Sequence, residues 1–212
     1  MAFYKEVKYP GGTILYIWHV TESVEDLKYM CYKKGIYTDD TLNIKSQSRK
    51  TEVLVTKLLL NLIFGEKATL NHHENGAPYI MESDMHISVS HTHGAVCIAI
   101  NNVNPVGVDI ERIGTRVIKV RDKFLNEMEK RWLAADNINA NLIAWTAKEA
   151  LFKVIPESGI DFREHLSLSL FEAGENSSIT FQSRYTKKAI PEIYNITSNI
   201  YMEYIISLAY KQ

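Results

Sequence analysis

The chain has 212 residues and a formal net charge of −1 at pH 7, with 46% hydrophobic and 23% charged side chains. That length suffices for one large domain or two small ones, and the composition is ordinary for a globular protein. The balanced charge gives no overall reason to expect nucleic acid as a partner. No apolar run approaches the roughly 20 residues that cross a bilayer, so no membrane partner is expected.

The two cysteines, Cys31 and Cys97, lie far apart and lack the CxxC spacing of many zinc sites. Such sparse cysteines are typical of a reducing compartment. We therefore expect a cytoplasmic protein without structural zinc.

The first half of the chain contains both strand and helix patterns. Residues 13–20 are rich in β-branched and aromatic side chains, which favours a strand. Helical patterns follow at 22–32, where Thr21 or Ser23 is available as the N-cap, and at 49–64. After a polar loop, the predicted elements are a short strand at 79–80 and three adjacent strands at 86–90, 95–100 and 106–112.

The turn cluster Asn101–Pro105 is the best candidate for a boundary between two halves. We therefore expect an N-terminal α+β half at 1–104 and a C-terminal α+β half at 105–212. The remaining predicted elements are helices at 119–134 and 139–155 and strands at 166–171, 179–185 and 199–209. The predicted class is α+β.

The segment Val106–Arg112 alternates strictly, so Gly107, Asp109 and Glu111 share one face of the predicted strand. Two carboxylates this close repel each other unless a cation or a basic group lies between them. Carboxylates of this kind favour a hard cation such as Mg²⁺, and Gly107 would let a ligand phosphate approach closely. The alternative is a solvent-exposed strand face.

The segment Trp145–Lys153, with the sequence WTAKEALFK, is predicted to lie within a helix. Trp145, Glu149 and Lys153 are four residues apart and therefore share one face. Because Asn139 or Asn141 is a better-placed N-cap, Glu149 is expected mid-helix. It would supply a third carboxylate to the cation site, or else form a plain surface ion pair with Lys153.

Together, VGVDIE at 106–111 and WTAKEALFK at 145–153 resemble the signature of 4'-phosphopantetheinyl transferases. The variety they resemble is the double-length type named after the surfactin synthetase activator. The segments 49–52, 76–78, 88–91 and 123–129 resemble further motifs of that family. The resemblance implies two similar α+β halves related by a pseudo-twofold, with a ligand cleft between them.

The resemblance also implies a reaction. Family members transfer the 4'-phosphopantetheine arm of coenzyme A to a serine of an apo acyl or peptidyl carrier protein and release adenosine 3',5'-bisphosphate. By resemblance, Asp109, Glu111 and Glu149 would bind Mg²⁺ against the pyrophosphate. Glu149 would also act as general base, directly or through a water, and Lys153 would neutralise phosphate charge.

Contacts to coenzyme A are implied for residues of both halves. Ala77 departs from the lysine that many relatives carry between Gly76 and Pro78, which puts one phosphate contact in doubt. Arg49 is equally well explained as a charged residue near a helix N-terminus, and His91 with His93 as a turn or a transition-metal pair. The expected coenzyme A contacts are Arg49, Gly76, Pro78, Ser90, His91, Lys148 and Lys153.

Five basic residues in the segment 112–123 are expected to form a docking surface for an acidic carrier protein next to this site. The alternative is that they belong to a solvated loop and helix start. Glu129 is expected either to orient Lys153 or to be a surface residue. A monomer suffices, because one chain contains both halves. The rival functions are a magnesium-dependent phosphoesterase and a non-catalytic relative that binds carrier proteins. The predicted docking residues are Arg112, Arg116, Lys119, Arg121 and Lys123.

Overall fold

The structure is a computed structural model that describes residues 3–66, 68–81, 83–172 and 178–211. The chain divides into two compact units, Met1–Asn102 and Val103–Gln212. Each unit contains its own antiparallel sheet and its own hydrophobic core. The predicted α+β class is confirmed.

The N-terminal unit has a four-stranded sheet in the order β1-β2-β6-β5 and a separate hairpin of β3 and β4. All of its strand pairs are antiparallel. Its elements are β1 (Phe3–Lys8), β2 (Ile14–His19), α1 (Val24–Lys33), α2 (Gln47–Phe64), β3 (Leu70–His72), β4 (Pro78–Ile80), β5 (His86–Thr92) and β6 (Ala95–Asn101).

Local sequence explains where the helices of this unit begin. Ser23 caps α1 in a capping box with Asp26, so the second of the two predicted caps is the one used. Ser46 caps α2, which starts two residues before the predicted helix. Helix α2 buries Leu54 and Leu58 in the core of the unit, together with apolar residues of β6.

The C-terminal unit has a five-stranded sheet in the order β7-β11-β10-β9-β8. Helix α5 packs on β7 and β11 and contributes most of its length to the core. No described helix is long and apolar enough to cross a membrane. The elements are β7 (Val106–Arg112), α3 (Arg116–Phe124), α4 (Glu127–Trp132), α5 (Ile138–Val154), β8 (Leu166–Leu168), β9 (Ile179–Tyr185), β10 (Glu192–Tyr201) and β11 (Tyr204–Tyr210).

The helix predicted at 119–134 is two helices, α3 and α4. Asn126 has an extended backbone and caps α4, and Glu129 closes the capping box by accepting a hydrogen bond from the Asn126 backbone. Helix α5 is capped by Asn137 and not by Asn139 or Asn141. The side chain of a capping asparagine hydrogen-bonds to the backbone and so favours the start of a new helix. The spacing of apolar residues does not show this, and it therefore predicted one continuous helix across Asn126.

Two strand predictions also need correction, and two strands were missed. The strand predicted at 199–209 is a hairpin of β10 and β11, with Met202 at its turn in the left-handed region at φ 53°. Strand β7 pairs with β11, so the predicted adjacency of β7 and β6 is wrong. Strands β1 and β3 were not predicted at all.

Candidate functional site

Strand β7 and helix α5 are in backbone contact at Gly107. A Cβ atom on Gly107 would lie 2.0 Å from the carbonyl oxygen of Ala150 and 3.1 Å from the backbone nitrogen of Val154. The space next to this glycine is therefore filled by α5. The prediction that Gly107 leaves room for a ligand phosphate is wrong.

Asp109 lies on the β7 face that α5 covers. It is only 5% exposed, so the alternative of a solvent-exposed strand face is also wrong for this residue. Lys153 donates hydrogen bonds from Nζ to Oδ1 of Asp109 at 2.8 Å and to the Val108 carbonyl at 3.0 Å. The ammonium group is thus held against the strand, with its side chain 27% exposed.

Glu149 lies one helical turn before Lys153 and is partly buried. The pKa of its carboxyl group is raised from 4.5 to about 7, first by burial and then by the negative charge of Asp109. Lys153 opposes these effects, and Glu111 adds a smaller repulsion. The structure therefore places Glu149 within electrostatic reach of both β7 carboxylates and of the Lys153 ammonium.

Glu111 is connected to α5 through Trp145. The indole nitrogen of Trp145 donates a hydrogen bond to Oε1 of Glu111 at 3.4 Å. Sequence reasoning placed Trp145 on the face of Glu149 but did not identify this contact. The alternation of a strand and the period of a helix show which residues of one element share a face. They do not show which residue of the strand contacts which residue of the helix.

Lys148 does not have the position expected of a coenzyme A contact. Its side chain is fully buried, and Nζ lies 2.6 Å from Oε2 of Glu129. It also donates to the carbonyl oxygens of Phe124, Phe162 and Leu166 at 2.8 to 2.9 Å. Burial lowers the pKa of Lys148, and the charge of Glu129 partly offsets that shift.

Glu129 likewise differs from both of its predicted roles. It is 1% exposed, contacts Lys148 and not Lys153, and accepts a hydrogen bond from the Leu168 backbone at 2.9 Å. The buried pair ties α4 and the start of β8 to α5. We infer a structural role for Lys148 and do not retain it as a ligand contact.

The fit of a divalent cation depends on the donors at this site. Asp109, Glu111 and Glu149 supply only carboxylate oxygens, the donor type that Mg²⁺ prefers. In the described ranges, however, no three His, Cys, Asp or Glu side chains form a cluster able to hold a metal ion by themselves. Mg²⁺ commonly takes one or two protein carboxylates and fills its shell with water and phosphate oxygens, so this donor set fits a phosphate-bound ion.

A second polar cluster lies in the N-terminal unit. Nη1 of Arg49 lies 2.8 Å from Nε2 of His91, and Oε2 of Glu52 is 3.3 Å from both Nη1 of Arg49 and Nδ1 of His91. Arg49 and His91, each predicted as a coenzyme A contact, are therefore brought together. Glu52 was missed as their partner, although its spacing of three residues from Arg49 on α2 was a usable signal.

The other predicted nucleotide contacts lie in two places of this unit. Ser90 is 5% exposed on β5, next to His91. Gly76 occupies the β3–β4 turn at φ 83°, where a side chain would be strained. Pro78 begins β4.

Four of the five predicted docking residues are exposed. Arg121 is the exception, because its guanidinium donates to Oδ1 of Asn141 at 2.8 Å and to the Leu133 carbonyl. It is a structural link between α3, the end of α4 and α5. Arg112 contributes a long ion pair to Glu203 at 3.8 Å. The basic segment is hereafter the exposed set Arg112, Arg116, Lys119 and Lys123.

Comparison with known proteins bears on this site directly. Residues 105–209 match the model of the family described as the 4'-phosphopantetheinyl transferase superfamily. The matched residues include the two β7 carboxylates, Glu149 and Lys153, so this whole constellation lies within the segment that resembles the superfamily.

A curated relative extends the likeness beyond the matched segment. The chain is similar to the 4'-phosphopantetheinyl transferase gsp of Aneurinibacillus migulanus, with 30% identity over 161 residues. The aligned region is 72% of this chain and 65% of the relative. The chain thus spans somewhat under two thirds of the length of that curated protein.

Proposed function

We propose that this protein transfers the 4'-phosphopantetheine arm of coenzyme A to a serine hydroxyl of an apo carrier protein. The observation that carries the proposal is the meeting of Asp109, Glu149 and Lys153 within a segment that resembles the 4'-phosphopantetheinyl transferase superfamily. The printed name of the bacterial relative supports the same activity. Both comparisons favour a transferase over the phosphoesterase and the non-catalytic binder.

In the proposed reaction the serine oxygen forms a bond to the β-phosphorus of coenzyme A. The bond from that phosphorus to the bridging oxygen breaks, and its electron pair leaves with adenosine 3',5'-bisphosphate. We assign to Glu149 the acceptance of the serine proton, directly or through one water. A carboxylate that is partly buried but not fully enclosed suits this role.

We propose Asp109, Glu111 and Glu149 as the carboxylates that hold Mg²⁺ together with pyrophosphate oxygens. When bound, the ion supplies charge stabilisation and orientation for the pyrophosphate. The support is the all-oxygen donor set and the repulsion from Asp109, which adds to the effect of burial in raising the pKa of Glu149. An added positive charge relieves repulsion of this kind.

Lys153 is proposed to stabilise the negative charge of the transferred or departing phosphate. Its ammonium group is already positioned by Asp109 and the Val108 carbonyl. Because it retains some exposure at 27%, a short side-chain movement suffices to present one of its protons to a phosphate oxygen. Positioned cations of this type are a main source of catalysis in phosphoryl transfer.

For the N-terminal unit we propose that Arg49, Ser90 and His91 contact the nucleotide of coenzyme A, with Gly76 and Pro78 shaping a loop against the adenine. The support is the adjacency of Arg49 and His91. A guanidinium group binds phosphate through two parallel hydrogen bonds. Glu52 holds both side chains and would keep them oriented before the ligand arrives.

The acceptor is proposed to dock on the basic segment. Carrier proteins are commonly acidic around the modified serine, so opposite charges would steer the encounter. We further propose the double-length type of the family, related halves divided between residues 104 and 105, action as a monomer and a cytoplasmic location. Thiols, not a disulfide, at Cys31 and Cys97 are in keeping with that location.

The direct test is intact mass spectrometry of an apo acyl carrier protein and an apo peptidyl carrier protein. Each is incubated with the purified full chain, coenzyme A and Mg²⁺. We expect a mass gain of one phosphopantetheine arm on at least one carrier, together with release of adenosine 3',5'-bisphosphate. Chelation of divalent ions should remove the gain.

Matched variants distinguish the loss of a catalytic group from a loss of activity through misfolding. Glu149→Gln keeps the size of the side chain and should abolish transfer, whereas Glu164→Gln, an exposed glutamate beyond α5, should retain it. Transfer by Glu149→Gln at the normal rate would refute the assigned site. Hydrolysis of coenzyme A without carrier modification would replace the proposal by the phosphoesterase.

A further inference from the structure

Three buried hydroxyl groups form a chain beneath helix α5. Oγ of Ser198 on β10 lies 2.7 Å from Oγ of Ser207 on β11. Oγ of Ser207 lies 2.7 Å from Oγ1 of Thr146 on α5. The exposed fractions of Ser198, Ser207 and Thr146 are 1%, 0% and 0%, so this connection is shielded from water.

Because each hydroxyl group has a single proton to donate, the donor and the acceptor of each hydrogen bond in this hydroxyl chain can be assigned. Oγ1 of Thr146 also lies 3.0 Å from the Leu142 carbonyl, which can only accept, so the threonine proton points to the helix backbone. Thr146 must then accept from Ser207, and Ser207 must accept from Ser198. Hydrogen bonds aligned in this way polarise one another in a low-dielectric interior.

The chain of hydroxyl groups lies next to the proposed catalytic groups. Ser207 is the direct cross-strand partner of Asp109, and Ser198 is the partner of Ser207. Directly opposed residues of antiparallel strands share one face of the sheet, so Asp109 and both serines point to the α5 side. Thr146 precedes Glu149 by three residues, about one turn of the helix.

Strand pairing aligns β7, β10 and β11 with one another, and contacts made by α5 itself determine where the helix lies on them. The packing of apolar side chains is tolerant of small shifts, whereas a hydrogen bond weakens steeply with distance and angle. The hydroxyl chain provides such a directional link on the Glu149 side of the helix. Lys153 and Trp145 provide further links, to Asp109 and Glu111 of β7.

We propose that the hydroxyl chain of Ser198, Ser207 and Thr146 sets the register of α5 on the sheet and thereby positions Glu149 and Lys153 against Asp109. These three are positioning residues, because none of them bears charge or is accessible to a substrate. The register itself is independent of what the protein catalyses. Its effect on turnover rests on the proposed transferase function.

The indole N–H resonance of Trp145 is a suitable reporter of the register, since Trp145 on α5 donates to Glu111 on β7. The experiment records this resonance in isotope-labelled full-length protein for Ser207→Ala and Thr146→Val. We expect a clear shift of the Trp145 resonance in both variants. Thr146→Ser retains the hydroxyl group and should restore the native position.

Ser183 provides the matched control. It is fully buried on β9, between Phe181 and Tyr185 of the same core. Within the described part of the chain its hydroxyl has no hydrogen-bond partner. Ser183→Ala removes a buried hydroxyl without breaking a bond, so it should leave the Trp145 resonance unchanged.

Kinetics provide the second measurement. In Ser207→Ala and Thr146→Val we expect kcat to fall about ten- to a hundredfold with KM for coenzyme A nearly constant, the loss that a misplacement of about 1 Å can cause. The proposal would be overturned if the Trp145 resonance did not shift in the two variants. It would also be overturned if kcat fell only in proportion to the fraction of variant protein that is unfolded. If the native protein transfers nothing, the proposed function fails and the resonance measurement alone decides the positioning role.

Discussion

Gly107 and Ala150 hold strand β7 and helix α5 in backbone contact, with room for only a hydrogen atom on the glycine. A Cβ atom there would meet the Ala150 carbonyl oxygen at 2.0 Å. Because the obstacle is helix backbone and not a flexible side chain, it cannot yield without moving α5. The glycine of VGVDIE is therefore explained by packing beneath the site.

Gly107→Ala should destabilise the C-terminal unit by about 1–3 kcal/mol, the usual cost of overpacking. It should also reduce transfer, because α5 carries Glu149 and Lys153. Denaturant unfolding followed by tryptophan fluorescence measures the first effect. Gly114→Ala is the control, since its Cβ would find its nearest atom at 3.9 Å; equal losses in the two variants would contradict this explanation.

Lys148→Met should destabilise the protein by about 3–5 kcal/mol, because it leaves the buried Glu129 carboxylate without its cation. Glu129 is 1% exposed and lies 2.6 Å from the ammonium group. Thermal unfolding with and without coenzyme A measures this loss. If Lys148 instead bound the ligand, Lys148→Met would unfold normally and lose affinity for coenzyme A.

The surface ion pair of Lys130 with Asp122 offers a comparison within the same unit. Its atoms are 2.9 Å apart, but the aspartate side chain is 86% exposed. Lys130→Met should therefore cost far less stability than Lys148→Met, since exposed pairs contribute little. A similar loss in both variants would mean that burial is not what gives the Lys148 pair its strength.

Acid should remove the stabilisation that Glu192 provides. Its pKa is lowered from 4.5 to about 2, first by the hydrogen bond from Lys188, then by those from Lys211 and Tyr194. A carboxylate with a depressed native pKa stabilises the fold fully above its unfolded pKa, and this stabilisation disappears as pH falls through the native pKa. The stability difference between native protein and Glu192→Gln should therefore be full above pH 4.5 and vanish near pH 2.

Denaturation midpoints at several pH values between 2 and 6 measure this window. Glu164→Gln serves as the control, because that glutamate is exposed and its side chain makes no ion pair among the described residues. Glu164→Gln should change the stability little, because an exposed side chain without an ion pair contributes little to the fold. A Glu192→Gln difference that is constant with pH would show that the Lys188 and Lys211 pairs contribute nothing.

Salt should weaken the encounter with an acidic carrier protein if the basic segment steers it. Arg116→Glu should lower kcat/KM for the carrier by about tenfold at low salt, the lower end of electrostatic steering effects. The difference from the native protein should shrink as ionic strength rises. Arg184→Glu, an exposed arginine on β9 outside the basic segment, should have little effect; equal loss in both variants would argue against the docking surface.

Periodicity identified most of the elements near the site. The observed β7 and β9 coincide with the predicted strands, and α5 differs from its prediction by one residue at each end. The single helix predicted at 119–134 failed because hydrophobic spacing continues through Asn126. The cap at this asparagine depends on a backbone conformation that spacing does not reveal.

The failures at the site have a common cause. Lys148 and Lys153 lie on different faces of one helix by their spacing, but that spacing does not show which distant residues cover either face. Residues distant along the chain enclose Lys148 and supply its four acceptors. Lys153 instead faces β7, where Asp109 and the Val108 carbonyl accept its hydrogen bonds.

By itself, the sequence determined the α+β class, the strand face shared by Asp109 and Glu111, and the helix face shared by Trp145, Glu149 and Lys153. Those features follow from the side-chain periods of strands and helices, which are properties of the local backbone. Only the tertiary structure decided that α5 fills the space over Gly107 and that β7 pairs with β11. Burial and pairing depend on which distant segments meet, and no local period contains that information.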